Sequence, residues 1–190
     1  SIEAFGPSGT AAELEGSKVF SKEIMRKHAI PTARGKSFKN DENAHAYINE
    51  LDAKVVVKAD GLAAGKGVIV CEDNAEAHEA VMRVMGDREF GDAGNTCLIE
   101  ERLFGEEASM LAFTDGKSIM PMESAQDHKP AYDGDTGPNT GGMGAYSPAP
   151  VITQDAYSEI ERRVLIPTIH GMNREGRRFR GVLYAGLMMT

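Results

Sequence analysis

The segment VVVKADGLAAGKGVIV at residues 55–70 places three glycines and two lysines between two runs of β-prone residues. Such short spacing favours an antiparallel hairpin with strands at 54–59 and 67–71. Glycines let backbone N–H groups approach an anion closely, and lysine side chains can reach phosphate oxygens. The pattern indicates a hairpin whose tip binds phosphate, although a plain hairpin with solvated lysines fits the composition equally well.

Neither of the two common phosphate-binding motifs fits this loop. A Walker A loop has the form GxxxxGK[ST], but Gly61 lies one position too close to Gly65, and Gly67 replaces the Ser or Thr. A GxGxxG motif could begin at Gly65 and Gly67, but it would end at Val70. Both motifs also require a helix after the loop, whereas VIVC is strand-like.

Hydrophobic periodicity predicts the other elements. Helices are predicted over about 17–28, over NDENAHAYINELD with Asn40 or Asp41 as N-cap, and over DNAEAHEAVMRVMG with Gly86 as C-cap. A further helix begins near Thr153 and is interrupted near Pro167. Strands are predicted at 96–101, 106–114, 117–122 and 181–189, and the TDGK turn joins two of them in a hairpin.

The order of these elements predicts an α+β fold with two subdomains. Residues 17–86 form a small subdomain that carries the glycine-rich tip, and residues 87–190 form part of a second. Residues 125–150 are rich in glycine and proline and are predicted to be a long loop, which in a compact domain is either functional or disordered. We interpret residues 1–16 as a remnant or linker from a missing N-terminal domain. Because RGVLYAGLMMT ends in a β-like run, we expect a fragment truncated at both ends.

Composition excludes several classes of partner. The formal net charge of −8 and the pI of about 5.2 argue against nucleic acid and anionic membranes as partners. No run of 18 apolar residues and no signal peptide is visible. Cys71 and Cys97 lie in apolar runs without a CxxC partner, which indicates buried reduced thiols and a cytoplasmic protein.

Four carboxylates in LIEERLFGEEASM, residues 98–110, suit a nucleoside: Glu100, Glu101, Glu106 and Glu107. Carboxylates accept hydrogen bonds from ribose hydroxyls and amino groups, and Leu103 and Phe104 could pack on a purine. The alternative is a solvated acidic hairpin end. In EGSK, Lys18 stands at a helix start, where backbone donors favour anions, although a single lysine there is most often a surface residue.

Together these motifs resemble the ATP-grasp fold, in which two α+β subdomains clamp ATP. More narrowly, DGLAAGKGVIV, IEERLFGEEAS, QDHKPAYDGDTGPNTGGMGAYSPAP and GVLYAGLMMT resemble the phosphoribosylamine–glycine ligase family. The resemblance covers nearly the whole chain. It implies a step of purine biosynthesis in which glycine, ATP and 5-phosphoribosylamine give glycinamide ribonucleotide, ADP and phosphate through an acyl phosphate. Small-molecule substrates and no enzyme nucleophile are implied.

The resemblance also implies residue roles. Lys18 and Lys58 would act on the ATP phosphates as catalytic residues, with Gly65, Lys66 and Gly67 as the closing tip. Glu100, Glu101 and Leu103 would form the adenine hinge, mainly through their backbone, and Glu107, rather than Glu106, would bind ribose. The acceptor pocket for phosphoribosylamine and glycine would contain Asp127, His128, Lys129, Asp135, Pro138, Asn139, Thr140, Gly141, Gly142, Met143 and Gly144.

Two departures from the family pattern limit this interpretation. Pro130 follows QDHK where the family usually has a basic residue. The family's magnesium ligands lie in a later segment, so we expect the metal that accompanies ATP to be bound beyond residue 190, with no metal site in this chain. The isolated chain is therefore expected to have little or no ligase activity. Another ATP-grasp ligase or carboxylase, or a catalytically silent nucleotide-binding module, remains as an alternative.

Overall fold

The computed structural model describes residues 4–51, 53–63, 67–134 and 136–190. Helices α1 to α6 span Gly9–Gly16, Lys18–Lys27, Asp41–Glu50, Asn74–Val81, Gln154–Ile160 and Ile166–Arg174. Strands β1 to β9 span Gly35–Phe38, Val55–Ala59, Val68–Val70, Cys97–Glu101, Glu106–Thr114, Ile119–Pro121, Gln126–Tyr132, Thr136–Tyr146 and Gly181–Met189. The chain divides into two compact units: a first unit of residues 13–23 and 32–103, and a second unit of the remaining described residues.

The first unit is built on a four-stranded antiparallel sheet in the order β1-β4-β2-β3. Residues alternate between its two faces because successive side chains of a strand point in opposite directions. Val55, Val57 and Ala59 of β2 and Cys97 and Ile99 of β4 are fully buried on one face, which forms the core. The other face, which we call the site face, carries the intervening residues, including Lys58 and Glu100.

Helices α3 and α4 complete this core, as their apolar spacing predicted. Asn40 caps α3 by accepting a hydrogen bond from the backbone N–H of Asn43, and Ala44 and Ile48 are buried. Asp73 caps α4 in the same way. The predicted C-cap at Gly86 was wrong, because the helix continues through a wider π turn at Met82–Gly86 and ends at Asp87. Gly86 does not adopt the left-handed conformation that favours glycine at a C-cap.

The first unit extends beyond the subdomain boundary predicted at residue 86. Residues Gly91–Asn95 form a 3₁₀ helix, and the following strand β4 lies between β1 and β2 in the sheet. The backbone N–H of Asp60 hydrogen-bonds to the carbonyls of Ala93 and Thr96. Because β4 is a central strand, the unit closes only at Leu103. The predicted boundary was placed by a glycine-rich stretch that is in fact packed against the end of β2.

The two cysteines are free and buried in the first unit, as predicted. Burial raises the pKa of the Cys71 thiol to about 11 and that of Cys97 to about 12. A thiol with a raised pKa in the folded state stabilises the fold below its unfolded pKa of about 8.5, and this contribution is lost as the pH rises towards its folded value.

We expect these thiols to react with a disulfide reagent only after unfolding. At pH 8 a thiol of pKa about 11 is about one-thousandth ionised, and the thiolate is the nucleophile. Labelling with 5,5′-dithiobis(2-nitrobenzoate) should be negligible in buffer and should reach two thiols per chain in urea. Rapid labelling of the folded chain at pH 8 would contradict the buried placement.

The second unit contains a three-stranded antiparallel sheet in the order β6-β5-β9. The TDGK turn joins β5 and β6 as predicted, with Gly116 at a φ of +87°. Thr153 caps α5, and the helical path runs through a π turn at Glu161–Leu165 into α6. This wider turn lies directly before Pro167. Because proline has no N–H to donate to the preceding turn, the regular α-helix is interrupted there.

Residues 125–150 were predicted to be a long loop, and this was wrong. Within them β7 and β8 pair as an antiparallel hairpin, which we call the arm. Its register shifts on either side of Pro130, a residue that cannot donate a hydrogen bond to a partner strand. The frequent glycines and prolines hide the alternation that predicts a strand. Among the described residues, no helix is long and apolar enough to cross a bilayer.

Candidate functional site

Lys58 projects from the site face of the first unit. It lies on β2 opposite Leu98 of β4 and Val68 of β3. Val68 and Val70, on the edge strand of the same face, are 42% and 45% exposed. The site face therefore combines an ammonium group with an open apolar edge, directly beside the glycine-rich hairpin tip. Such a surface suits a ligand that has both an apolar ring and anionic groups.

Lys18 lies at the start of α2, and its ammonium group holds the beginning of the tip. Its Nζ donates hydrogen bonds to the carbonyl oxygens of Ala59, at 3.0 Å, and Gly61, at 2.5 Å. Burial lowers the pKa of Lys18, the carboxylate of Asp60 opposes this shift, and the positive charge of Lys58 adds to it. The Lys18 ammonium group thus contacts the carbonyl of the residue that directly follows Lys58, within the same unit.

Asp60 connects the end of β2 to the start of α2. Its Oδ1 accepts hydrogen bonds from the Ser17 hydroxyl at 3.0 Å and from the backbone N–H of Val19 at 3.1 Å. A carboxylate at this position satisfies a free N–H of the first helical turn and favours the positive end of the helix dipole. Asp60 was not predicted from the sequence, although its place directly after the strand that carries Lys58 was a usable signal.

Glu100 is an ion-pair partner rather than a free carboxylate. Its Oε1 pairs with Lys22 of α2, and its Oε2 pairs with Lys58. Lys22 and Glu100 are 5% and 6% exposed, so this group is largely withdrawn from water. Lys22 was not predicted. Lys22 lies four residues after Lys18, which places both lysines on one face of α2, and this spacing was a usable signal for Lys22.

The tip of the hairpin is described only in part. Gly61 has a φ of +138°, which favours glycine, and Gly67 lies so close to Ala63 that an added Cβ would approach the Ala63 Cβ to 2.6 Å. These positions explain two of the three glycines by backbone geometry. The predicted tip residues Gly65 and Lys66 lie outside the described residues.

The other predicted hinge residues have different environments. Glu101 accepts two hydrogen bonds from Arg34, the residue directly before β1, one from its backbone N–H at 2.7 Å and one from Nε at 3.0 Å. These bonds lower the pKa of Glu101. Leu103 is 36% exposed at the end of the first unit. The Glu101 side chain is thus occupied within the protein, and the backbone N–H groups of Glu101 and Arg102 donate hydrogen bonds to the carbonyls of Arg34 and Lys54.

Glu107 lies on β5 in the second unit, opposite Met188 of β9. Lys129 of the arm donates a hydrogen bond to its Oε2 at 3.2 Å. Burial lowers the pKa of Lys129, but the attraction and hydrogen bond of Glu107 outweigh it, so the pKa is raised. The neighbouring Glu106 is exposed. The structure therefore brings a residue predicted to bind ribose next to one predicted to bind the acceptor.

The arm brings most of the predicted acceptor-binding residues together. Asp127 lies beside Gly142, whose φ is +120° and where an added Cβ would lie 2.7 Å from the Asp127 Oδ1. The rings of His128 and Tyr146 lie 5.4 Å apart. Thr140 donates a hydrogen bond to the Lys129 carbonyl at 2.9 Å and accepts one from the Gly142 N–H at 3.0 Å. The arm thus has an ordered internal network.

Two arm glycines lie in open space. An added Cβ at Gly141 or Gly144 would meet no atom within 4 Å, and neither residue has a positive φ. The fold therefore does not itself require glycine at these positions, in contrast to Gly142. Met143 between them is 63% exposed. Pro138 and Asn139 lie on β8, with Asn139 opposite Pro130, and Asp135 lies outside the described residues.

No metal site is evident among the residues that the structure describes, since they contain no group of three or more His, Cys, Asp or Glu side chains placed to hold an ion. The acidic residues of the site are instead paired with lysine, arginine or backbone donors. The described residues therefore do not by themselves fit a magnesium site.

Sequence comparison finds one matching family model, the phosphoribosylglycinamide synthetase ATP-grasp (A) domain, over residues 16–190. The chain is 54% identical to a phosphoribosylamine–glycine ligase of Rhodopirellula baltica and 53% identical to one of Listeria monocytogenes. Both matches cover 100% of this chain and 45% of the relative. The chain thus spans somewhat less than half the length of these curated relatives.

Structural comparison gives the same picture. The crystal structure of phosphoribosylamine–glycine ligase from Thermotoga maritima matches with a TM-score of 0.89 and 38% identity, over 97% of this chain and 46% of that one. D-alanyl-alanine synthetase A from Vibrio cholerae matches with a TM-score of 0.73 at 15% identity, over 100% of this chain and 56% of that one. The second match supports the fold alone.

Proposed function

Because the chain belongs to the family of the phosphoribosylglycinamide synthetase ATP-grasp (A) domain, we propose that it is the ATP-binding part of a phosphoribosylamine–glycine ligase. The γ-phosphoryl group of ATP passes to the carboxylate of glycine, which gives an acyl phosphate and ADP. The amine of 5-phosphoribosylamine then attacks the carbonyl carbon, and phosphate leaves as the amide forms. The protein contributes mainly positioning and charge, since no enzyme nucleophile takes part.

One observation carries this proposal: the Lys18 ammonium group contacts the end of β2, the strand that carries Lys58, at the base of the glycine-rich hairpin. Among the described residues Lys58 pairs with one carboxylate, that of Glu100, and its side chain is 27% exposed, so it can donate further hydrogen bonds to a phosphate. Lys18 fixes the carbonyls of Ala59 and Gly61, which sets where the tip begins. The tip backbone then supplies N–H donors to the phosphates.

The remaining nucleotide contacts follow from the hinge and from β5. We assign adenine to the backbone of residues 100–103, because the Glu100 and Glu101 carboxylates are already paired with basic side chains. Val68 and Val70 offer the apolar surface on which a base can lie. We assign the ribose hydroxyls to Glu107, whose exposed carboxylate has a single lysine partner, Lys129. A carboxylate is an acceptor for both hydroxyls of a ribose.

We assign the acceptor substrates to the arm. At Gly141 and Gly144 an added Cβ would meet no atom of the described residues within 4 Å, so we propose that their N–H groups approach the 5-phosphate of phosphoribosylamine. Asp127, His128, Lys129 and Thr140 surround this glycine-rich strand. We further assign the remaining predicted residues to this pocket, namely Asp135, Pro138, Asn139, Gly142 and Met143.

Magnesium, when bound with ATP, neutralises charge on the phosphates. Since the described residues contain no group of acidic side chains that fits the ion, no step of the proposed reaction is assigned to it here. We also propose that the chain acts in the cytoplasm on small molecules, and that nucleic acid and membranes are not its partners. The net charge of −8 supports this assignment because it repels polyanions.

The test is a chimera in which this chain replaces the matching segment of the Listeria monocytogenes relative. We expect ADP release that requires both glycine and 5-phosphoribosylamine. The isolated 190-residue chain should show little or no turnover. A folded chimera that binds ATP but releases no ADP would instead favour a silent nucleotide-binding module, and turnover with a different amine or carboxylate would favour another ATP-grasp ligase.

A further inference from the structure

Three charged side chains meet on the site face, namely Glu100 and the two lysines that contact it. Lys22 contacts its Oε1, and Lys58 contacts its Oε2. Lys22 and Glu100 are almost completely buried, at 5% and 6% exposure. Burying a carboxylate in contact with two ammonium groups is costly unless every group is well paired, so the arrangement indicates a defined electrostatic role.

Lys22 itself has no capacity left for a ligand. Its Nζ donates to the Thr32 hydroxyl at 2.7 Å and to the Ala33 carbonyl at 2.6 Å, in addition to its contact with Glu100. An ammonium group has three N–H donors, and all three are thereby used. Lys58 differs, since Glu100 is its acceptor and more than a quarter of its side chain is exposed.

We propose that Lys22 is a positioning residue that compensates the charge of Glu100 and so leaves Lys58 free to bind the phosphates of the nucleotide. This inference rests on the proposed function. It concerns a residue that lies outside the predicted set and contacts no substrate. Thr32 and Ala33 hold the Lys22 ammonium group in place, and Lys22 in turn fixes the orientation of the Glu100 carboxylate.

Lys22 affects phosphate binding because the single negative charge of Glu100 is shared between the two positive charges of Lys22 and Lys58. With Lys22 present, the three groups have a net charge of +1, and Lys58 can exchange part of its interaction with Glu100 for one with phosphate. Without Lys22, the Glu100 carboxylate would have Lys58 as its ion-pair partner and would hold it more tightly. A phosphate would then meet a neutral ion pair, which attracts it far less than a cation does.

The experiment is a titration of the 190-residue chain with ATP and with adenosine, by calorimetry, in the wild type and in Lys22→Met, Glu100→Gln and the double variant. We expect Lys22→Met to weaken ATP binding about tenfold and adenosine binding less than about twofold, because only the phosphates depend on Lys58. In the Glu100→Gln background the same Lys22→Met change should alter ATP affinity less than about twofold, since no carboxylate remains to compensate.

The double variant also keeps the test valid if Lys22→Met alone fails to fold. It removes both members of the buried pair together, which avoids an uncompensated buried charge. Equal losses of affinity for ATP and for adenosine would show that Lys22 does not act on the phosphates. A tenfold effect of Lys22→Met in the Glu100→Gln background would show that Lys22 acts without Glu100. Either result would overturn the inference. If the wild-type chain bound adenosine and ATP with the same affinity, the phosphates would contribute nothing to binding, and the proposed function itself would be overturned.

Discussion

Lys58→Met will weaken the binding of ATP to the chain about a hundredfold while leaving its fold intact. A hydrogen bond between a charged donor and an anion contributes about 1.5–3 kcal/mol, and the upper end of this range corresponds to about a hundredfold in affinity. The upper end is expected here because the substitution also leaves Glu100 with Lys22 as its ion-pair partner and turns a cationic surface towards neutrality. Calorimetric titration with ATP measures the loss, and circular dichroism checks the fold.

Lys54→Met is the matched control for this variant. Lys54 immediately precedes β2 in the chain, but it pairs with the exposed carboxylate of Glu72 and not with Glu100. The same chemical change there should leave ATP affinity within about twofold, because exposed ion pairs contribute little. If the two variants lost ATP affinity to the same degree, Lys58 would have no specific role and the assignment of the phosphates to the site face would be contradicted.

Gly94→Ala will destabilise the chain by about 3 kcal/mol, at the upper end of the cost of overpacking a buried site. Gly94 is buried in the 3₁₀ helix, and an added Cβ would lie 2.1 Å from the Val84 carbonyl oxygen. That atom belongs to the backbone, so the 3₁₀ helix and the π turn must move apart. The same 3₁₀ helix anchors the N–H of Asp60 through the Ala93 carbonyl, so ATP affinity should fall as well.

Urea denaturation measures this destabilisation, and Gly91→Ala is its control. Gly91 lies in the same 3₁₀ helix and an added Cβ would meet nothing within 4 Å. Its φ of +59° should still cost an alanine about 1 kcal/mol. Gly94→Ala should be clearly the more destabilising of the two variants. Equal denaturation midpoints would show that the close approach to Val84 is not what fixes glycine at residue 94.

Sequence patterns predicted the helices and strands whose apolar residues recur at a regular spacing or whose turns have a characteristic sequence. The spacing of Ala44, Tyr47 and Ile48 placed α3, and the Asp-Gly pair in TDGK placed the β5–β6 hairpin. The arm was missed because glycine and proline interrupt the period of two that identifies a strand. The first unit was cut short at residue 86 because strand order cannot be read from local patterns, and β4 pairs with strands far from it in sequence.

The sequence indicated residue types for the candidate site, whose binding roles stay predictions, but it did not indicate their pairings. The glycine-rich hairpin and the family resemblance together indicated Lys18 and Lys58, and the structure places both in the first unit. That Glu100 is shared between Lys22 and Lys58, and that Asp60 caps α2, depends on how helix α2 contacts the sheet. Such contacts join residues about 40 to 80 positions apart, and no local spacing specifies them.

The most direct test of the central claim is a crystal structure of the chain with a non-hydrolysable ATP analogue. Phosphate oxygens are expected at about 3 Å from the Nζ of Lys58, beneath the hairpin tip, and the base is expected near Val68 and Val70. An analogue bound with its phosphates directed away from Lys58, or on the opposite face of the β1-β4-β2-β3 sheet, would contradict it.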